Sequence, residues 1–206
     1  MTRPVSDIAF TSSVKAVQEQ MGSRSGYASM EQQGGWDNEV TPQLESFIAD
    51  RDTFFLATAN ADGQPYIQHR GGPRGFLKAI DSRTIGFADF SGNRQYITVG
   101  NLIDNSKAFI FLMDFARRRR IKIWGRAEAV AFDVQQHAMF HDQDYGAEPE
   151  RVILFHIEAW DMNCPKHITP RFTEEEVTDM VSRMQARIAD LEAQLEAIQK
   201  NSDTST

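Results

Sequence analysis

The sequence has little cysteine, no long apolar run and a shortage of positive charge. Cys164 is the single cysteine in 206 residues, so no disulfide can form within the chain, as is usual in a reducing compartment. No stretch approaches the about 18 consecutive apolar residues of a membrane-spanning helix, and the first residues lack the apolar core of a secretory signal. We therefore expect a cytoplasmic protein without a membrane partner.

Basic residues are outnumbered by acidic ones, with 22 Lys and Arg against 29 Asp and Glu and a formal net charge of -7. Such a chain repels polyanions, whereas a nucleic-acid-binding domain is usually basic. Four arginines nevertheless stand in a row from Arg117 to Arg120. They could contact nucleic acid, bind a phosphate-bearing small molecule or form a solvated turn. Because the overall charge argues against the first, we expect no nucleic-acid partner.

Short segments of β type dominate the middle of the chain. The run "TFFLATAN" is followed by Asp62-Gly63, a strong hairpin signal, and by the extended "QPYIQHR". Two more pairs follow, "GFLKAI" with "TIGFADF" and "KAFIFLMD" with "RRIKIWGRAEAV", and "RVILFHIEAW" is a seventh strand. Seven short strands in hairpin order predict a mainly β fold with peripheral helices, an antiparallel barrel or sandwich rather than a doubly wound parallel sheet.

The N-terminal residues combine a helical signal with a polar segment. Val14, Val17 and Met21 recur at helical spacing, which predicts a short helix. Residues 22–38 are rich in Gly, Ser and Gln without apolar periodicity, which indicates a loop or a mobile cover. Thr41-Pro42 then predicts the cap and first turn of another helix.

Two segments interrupt the order of strands. The first carries Ile97, Leu102 and Ile103 on one side of a predicted short helix that starts near Gly92 and Asn93.

The second interruption has His137 and His141 four residues apart on another predicted short helix, a separation that suits two metal ligands. A metal site needs a third ligand, and the sequence places none beside them. We therefore expect a surface helix and no metal.

The C-terminal segment has the most regular pattern. Its apolar residues alternate spacings of four and three over about three heptads, as in a coiled coil. Thr173 and Glu176 form a capping box at its start. We expect the helix to pair with its copy in a homodimer, and packing against its own barrel is the alternative. The apolar positions are Val177, Val181, Met184, Ile188, Leu191, Leu195 and Ile198.

The segment "FADFSGNRQ", residues 87–95, suits an anion. A strand ends there in a small polar loop with glycine, and the residues after it begin a predicted helix, where free N–H groups and the helix dipole favour negative charge. Arg94 adds a fork of donors that matches phosphate, and Lys78 could supply a second cation. An ordinary surface arginine is the alternative interpretation.

Four segments taken together resemble the pyridoxamine phosphate oxidase-like, flavin-binding split-barrel family over roughly residues 45–165. The segments are "PYIQHRGGPRGFLKAID", "TIGFADFSGNRQ", "NLIDNSKAFIFLMD" and "RRIKIWGRAEAV". The resemblance implies a homodimer of six- to seven-stranded Greek-key split barrels, with flavin mononucleotide (FMN) in clefts at the subunit interface. Deazaflavin and haem, which other members of the superfamily bind, are alternative cofactors.

The resemblance also implies which residues contact the cofactor. Lys78 and Arg94 would hold the phosphate, and Arg120 stands where the oxidases have a glutamine directed at the flavin across the interface. His69 and Arg70 open an insert where the family's early strand meets the isoalloxazine ring, and His69 is the candidate proton donor or acceptor. The full set of cofactor-binding candidates is His69, Arg70, Gly71, Gly72, Leu77, Lys78, Ala88, Asp89, Asn93, Arg94, Gln95, Arg119 and Arg120.

Alternation along the strand that follows the arginine run places Ile121 and Ile123 on one side and Arg120 on the other. Arg120 would then reach the cofactor cleft or the partner subunit. Arg117 and Arg118 are expected to stay in the solvated turn.

The C-terminal ending of the oxidases, Trp-x-x-x-Arg-Leu-x-Pro, is absent, and "NCPKHITPRF" stands in its place. This departure indicates a divergent member whose substrate is an unidentified small molecule rather than pyridoxamine phosphate. Lys166, His167 and Arg171 are candidates for lining the substrate cleft, where their charge would attract an anion. The alternative to an FMN-dependent oxidoreductase is a non-catalytic flavin- or haem-binding or sensing protein of the same fold.

The expected organisation has four parts. Residues 1–40 form an N-terminal helix and loop, and residues 41–170 form the split-barrel domain. Residues 171–200 form a coiled-coil-like helix, followed by a disordered tail at 201–206.

Overall fold

The computed structural model describes residues 3–163 and 165–203. Seven strands in this part of the chain form one antiparallel sheet in the order β2-β1-β5-β6-β7-β4-β3. The predicted mainly β fold with seven strands is therefore confirmed. The strands are β1 (Thr53–Ala59), β2 (Pro65–Gly71), β3 (Lys78–Ala79), β4 (Thr84–Phe90), β5 (Lys107–Asp114), β6 (Arg119–Ala131) and β7 (Pro149–Asn163).

Five α-helices accompany the sheet in the described residues, with two short 3-10 helices at Val5–Ile8 and Ala138–Phe140. No helix in this part of the chain has both the length and the hydrophobicity needed to cross a lipid bilayer. The α-helices are α1 (Ser12–Gln20), α2 (Arg24–Gln32), α3 (Pro42–Ala49), α4 (Ile97–Asp104) and α5 (Glu174–Asp203).

The chain divides into two compact units. The first contains the residues up to Asp114 together with Arg119–Lys166, and the second contains Phe115–Arg118 and the chain from His167 onward. The first unit therefore holds the whole sheet and the second holds α5.

Aromatic contacts show that the sheet curls round its core. Phe54 of β1 and Phe87 of β4 are separated by three intervening strands in the sheet order, so a flat sheet would hold them about 19 Å apart. Their ring centroids are 5.0 Å apart instead. Phe76, which follows β2, stacks on Phe54 at 5.3 Å. The two ends of the sheet therefore meet over one apolar core, as a split barrel requires.

The predicted helix starts are confirmed by their caps. Thr41 Oγ1 accepts a hydrogen bond from the Leu44 N–H at 3.3 Å, and Pro42 occupies the first turn of α3. At the start of α5, the Thr173 N–H donates to the Glu176 carboxylate at 2.9 Å, and the Glu176 N–H donates to Thr173 Oγ1 at 3.2 Å. These reciprocal bonds satisfy N–H groups that a helix end leaves unpaired.

The prediction of a loop over residues 22–38 was wrong for its central part, where α2 lies. Polar contacts that apolar periodicity does not report hold this helix. Arg24 donates to Gln18 Oε1 of α1 at 2.9 Å and forms an ion pair with Glu31 at the other end of α2.

Two smaller predictions about local structure also need correction. His137 and His141 do not share a helix but flank the 3-10 helix Ala138–Phe140. Helix α5 extends to Asp203, beyond the point where a disordered tail was expected. Residues 204–206 and Cys164 lie outside the described residues.

Trp36 ties the N-terminal segment to the outer surface of the sheet. Its ring stacks on Trp124 of β6 with centroids 4.7 Å apart, and Lys122 Nζ lies 5.3 Å from the centroid of Trp36. Nearby, Trp160 Nε1 donates to the Glu39 carbonyl at 2.8 Å. Part of the outer face of β6 is therefore covered by the chain's own N-terminal segment.

Gly125 marks a close approach between β6 and β7. The register between these strands shifts at Trp124 and Gly125, and a Cβ at position 125 would lie 2.1 Å from the His156 carbonyl oxygen and 2.6 Å from Phe155 Cε1. Because the first contact is with main chain, no rotamer change can relieve it. Glycine is required here by packing.

We expect Gly125→Ala to lower the free energy of unfolding by about 1–3 kcal/mol, the usual effect of overpacking a core. Urea denaturation followed by circular dichroism measures this. Gly26→Ala is the matched control, because a Cβ there meets nothing within 4 Å inside helix α2, so alanine should stabilise slightly. Equal stability of the two variants would contradict the packing argument.

Candidate functional site

Two arginines converge on one buried carboxylate where the two ends of the sheet meet. Asp89, near the end of β4, is 6% exposed. Arg70 of β2 forms an ion pair with one carboxylate oxygen, and Arg151 of β7 pairs with the other at 3.0 Å. Strands β2 and β4 lie near opposite ends of the sheet order. The pair between Arg70 and Asp89 therefore joins the two ends across the gap.

The loop between β4 and α4 presents a third arginine. Arg94 and Tyr96 have φ angles of 61° and 54°, a left-handed conformation that is costly for residues other than glycine and that clusters at functional sites. Arg94 Nε donates to Tyr96 Oη at 3.2 Å, and the Arg151 guanidinium lies 5.0 Å from the centroid of the Tyr96 ring. Tyr96 therefore links the two guanidinium groups.

Local contacts raise the pKa of both of these arginines. The hydrogen bond to Tyr96 raises the pKa of Arg94 above its ordinary value. Partial burial lowers the pKa of Arg151, but the hydrogen bond and ion pair with Asp89 outweigh it, so the pKa of Arg151 also lies above its ordinary value. Asp89 and Glu150 both pair with Arg151, whereas no carboxylate among the described residues forms an ion pair with Arg94. Arg94 is therefore available to an anionic ligand.

Helix α4 begins beside these arginines and is anchored by polar contacts. No side chain caps its first N–H groups, so the positive end of the helix dipole stays open. Thr98 Oγ1 donates to Gln68 Oε1 of β2 at 2.8 Å, and Asn101 Nδ2 donates to Thr58 Oγ1 of β1 at 2.9 Å. The helix thus reaches from the end of β4 to the opposite side of the gap.

The sequence-based prediction for α4 was wrong in two respects. The helix begins at Ile97 rather than near Gly92 and Asn93. Its buried face includes Leu102 but neither Ile97 nor Ile103, which are 39% and 80% exposed. The face is instead formed with Thr98 and Asn101, because the strands below offer polar partners that satisfy buried polar side chains.

These groups enclose a cavity of about 280 Å³. Three arginines against two carboxylates leave it with an excess of one positive charge, in a chain whose formal net charge is -7. Its volume lies just below the roughly 300–1,000 Å³ of typical small-molecule sites. The charged and polar lining residues are Tyr66, Gln68, Arg70, Asp89, Asn93, Arg94, Gln95, Tyr96, Thr98, Glu150 and Arg151.

The structure brings together five of the predicted site residues in this cavity, and it adds Arg151 and Tyr96, which sequence reasoning missed. Arg151 lies directly opposite Asp89 in the pairing of β4 with β7. A cross-strand pair of opposite charges is a recognisable sheet signal, but it required the register of two strands more than 60 residues apart. The five predicted residues are Arg70, Asp89, Asn93, Arg94 and Gln95.

His69 does not face this cavity. Successive side chains of a strand point to opposite faces, and Gln68 and Arg70 occupy the cavity side of β2. His69 Nε2 lies 2.5 Å from Thr53 Oγ1, and its ring is 5.9 Å from that of Phe55 on β1. Within one chain, the side chains of His69 and Arg70 therefore point to opposite faces of the sheet.

Lys78 lines a second cavity, of about 180 Å³, rather than the cavity of Arg94. Phe90 lines both cavities. Within one chain, the structure does not bring Lys78 and Arg94 together in one cavity.

Four glycine or apolar candidates have structural explanations. Leu77 and Ala88 are buried in the apolar clusters, so a cofactor could reach them only through main-chain atoms. A Cβ at Gly72 would lie 2.6 Å from the Phe76 ring, and one at Gly71 would lie 3.2 Å from the ring of His69. The glycines therefore allow the chain to turn closely after β2.

The four consecutive arginines have different environments. Arg117 and Arg118 are exposed in the turn, as expected. Arg119 lies 3.5 Å from the carboxylate of Asp114, which is 1% exposed, and 5.5 Å from the Phe47 ring centroid. Arg120 has a buried Nε without a hydrogen-bond acceptor in the described part of the chain. Arg119 therefore balances the buried charge of Asp114, and Arg120 has an N–H donor that no acceptor in the described part of the chain uses.

The remaining candidates stay predictions. Lys166, His167 and Arg171 are exposed, and the last two belong to the second unit, where the Arg171 guanidinium lies 5.0 Å from the Phe115 ring centroid. Among residues 3–163 and 165–203, no three His, Cys, Asp or Glu side chains converge as metal ligands would. His137 Nδ1 instead accepts a hydrogen bond from the Asp133 N–H at 3.0 Å.

Comparison with solved structures finds similar chains with low sequence identity. HupZ from Group A Streptococcus is 24% identical, with a TM-score of 0.47 over 59% of this chain and 91% of that chain. A protein from Lactobacillus delbrueckii that is named after pyridoxamine 5'-phosphate oxidase is 18% identical, with a TM-score of 0.46 over 61% and 95%. An FMN-binding protein from Syntrophomonas wolfei is 16% identical, with a TM-score of 0.46 over 74% and 95%.

A search of curated proteins returned no match. A family model is decisive instead: the model described as pyridoxamine 5'-phosphate oxidase matches residues 40–164. This match spans more than half of the chain and includes the seven strands, Arg70, Asp89, Arg94 and Arg151. On this evidence the chain belongs to the pyridoxamine 5'-phosphate oxidase family.

Proposed function

We propose that the protein is an FMN-dependent oxidoreductase that acts on a small molecule, with the flavin bound between two copies of the chain. The observation that carries this proposal is the positively charged cavity at the start of α4, where Arg94 has no carboxylate partner among the described residues. A helix start with an adjacent arginine fork suits a phosphate group. Membership in the family supports a flavin as the source of that phosphate.

The donor set fits the polar part of such a cofactor. Arg94 and the first N–H groups of α4 would bind the phosphate, and Asp89 would orient Arg70 and Arg151 beside it. Arg70 Nε is buried and has no hydrogen-bond acceptor in the described residues. A buried donor without a partner is uncommon in folded proteins, so a ligand oxygen would satisfy it.

The flavin, when bound, supplies the electron transfer, and the protein supplies position and electrostatics. Arg94 would hold the phosphate and so orient the cofactor, while the ion pairs with Asp89 would keep Arg70 and Arg151 in place. His69, the candidate proton donor or acceptor, lies on the outer face of β2. A catalytic role for His69 therefore requires that the outer face of one chain meets the cavity of its copy.

The outer face of the sheet supports a homodimer. It carries partly exposed apolar side chains on three neighbouring strands, including Phe55 on β1, Ile67 on β2 and Phe109 on β5. A second copy would remove these side chains from water. It would also supply walls for a ring system that the cavity of about 280 Å³ in one chain does not enclose.

The first test is an absorption spectrum of the purified protein, with identification of any compound released on denaturation. We expect a flavin spectrum and free FMN. Release of a deazaflavin would leave the proposed phosphate site in place but would change the cofactor that carries out the electron transfer. A Soret band would replace the proposal with haem binding, and bound flavin that no nicotinamide donor or candidate substrate reduces would favour a storage or sensing role.

The role of Arg94 can be tested by comparing FMN with riboflavin, which lacks the phosphate. We expect Arg94→Ala to weaken FMN binding by about ten- to a hundredfold, the effect of one charge-assisted hydrogen bond, and to leave riboflavin binding unchanged. Flavin fluorescence titration of the apoprotein measures both affinities. Arg83→Ala is the matched control, since Arg83 pairs with Glu39 at 3.1 Å outside the cavity. Equal losses for both ligands would contradict a phosphate contact.

Arg120 is expected to tune the flavin electronically. A cation near the ring stabilises the anionic reduced form, so Arg120→Ala should lower the reduction potential of the bound flavin. Arg126→Ala, on the same side of β6 but paired with Glu158 at 2.9 Å, is the control. Spectroscopic redox titration compares the variants, and an unchanged potential in flavin-loaded Arg120→Ala protein would remove this role.

A further inference from the structure

Helix α5 carries a largely exposed apolar stripe. The stripe follows the heptad spacing from Val177 to Ile198, and its seven side chains are 41% to 64% exposed. These residues span about 32 Å of helix at 1.5 Å per residue. An exposed apolar stripe of this length marks an interaction surface.

The spacing assigns the stripe to the two core positions of a coiled coil, named a and d. Val181, Ile188 and Leu195 fall at a, and the intervening apolar residues fall at d. A β-branched residue at a combined with leucine at d favours two parallel strands. Val181 and Ile188 at a, with Leu191 at d, meet this preference in the middle of the helix.

Charges beside the stripe distinguish parallel from antiparallel pairing. In a parallel pair in register, position g of one helix meets position e of the next heptad in the other. Arg187 occupies g and Glu192 occupies the following e, so the pair of opposite charges would form twice in a symmetric dimer, once on each side. In the antiparallel register that pairs Val177 with Leu195, Arg187 would instead meet Arg187 of the other copy.

We propose that α5 forms a parallel, in-register, two-stranded coiled coil with the same helix of a second copy, and that Arg187 and Glu192 select this arrangement. The surface is separate from the cavity of the proposed function, because all of its residues belong to the second unit. The coiled coil would hold two copies together whether or not a flavin is bound.

Disulfide crosslinking of the full chain tests the direction of pairing. Cys164→Ser provides a cysteine-free background, in which Val177→Cys and Leu195→Cys are made separately. In a parallel pair in register, each residue meets its own copy, so each variant alone should form a covalent dimer under mild oxidation. Ala193→Cys is the matched control, because position 193 lies on the outer side of the helix and should crosslink far less.

The other outcomes overturn the proposal. In the antiparallel register, position 177 of one copy meets position 195 of the other, and the two copies of the same cysteine lie about 27 Å apart along the helix axis. Only a mixture of the two variants would then crosslink. Absence of crosslinks in the single variants and in the mixture would show that α5 does not pair with its copy, even if the protein dimerises through its barrel. Circular dichroism of each variant confirms that it is folded.

A charge exchange tests the role of Arg187. In the Leu195→Cys background, Arg187→Glu should slow disulfide formation about two- to fivefold, as expected for loss of exposed ion pairs. Adding Glu192→Arg should restore the rate, because it recreates the opposite charges with exchanged signs. A rate that falls without restoration, or does not change, would exclude this pair as the determinant of parallel pairing.

Discussion

The buried Asp89 carboxylate is the interaction on which the rest of the site depends. It takes one arginine from β2 and one from β7, and β2 and β4 lie near opposite ends of the sheet order. A carboxylate removed from water is costly unless charged partners surround it. Arg151 lies opposite Asp89 on the neighbouring strand β7, whereas Arg70 reaches Asp89 only when the ends of the sheet meet. Closure of the barrel therefore completes the neutralisation of this charge.

Closure also produces the cavity. The strand ends held by Asp89 form its base, α4 crosses the same gap, and Tyr96 places Arg94 at its rim. The left-handed residues in the connecting loop cost energy, and the polar contacts of α4 with β1 and β2 offset part of it. The result is a positively charged cavity in a protein whose net charge is negative, so an anion is attracted to this cavity and repelled by the protein as a whole.

The four arginines from Arg117 to Arg120 have different roles although they are adjacent in the sequence. Arg117 and Arg118 stay in solvent, whereas Arg119 offsets the buried carboxylate of Asp114 together with Arg51, whose nitrogen lies 3.7 Å from it. Arg120 keeps a buried donor that finds no acceptor in the described residues. Consecutive residues at the start of a strand point to opposite faces of the sheet. Identical neighbouring side chains therefore have different environments.

The sequence by itself determined the number of strands and their positions along the chain, the caps of α3 and α5 and the heptad stripe, because each depends on residues that are close along the chain. It also indicated Arg70, Asp89, Asn93, Arg94 and Gln95, which lie at strand and loop positions that the resemblance marks. Only the tertiary structure decided that Arg151 joins Asp89, that His69 faces away from Arg70, and that Lys78 and Arg94 line different cavities. These relations depend on strand register and on curvature of the sheet. A shift of one residue reverses the direction of every side chain, and only the packed core sets that register.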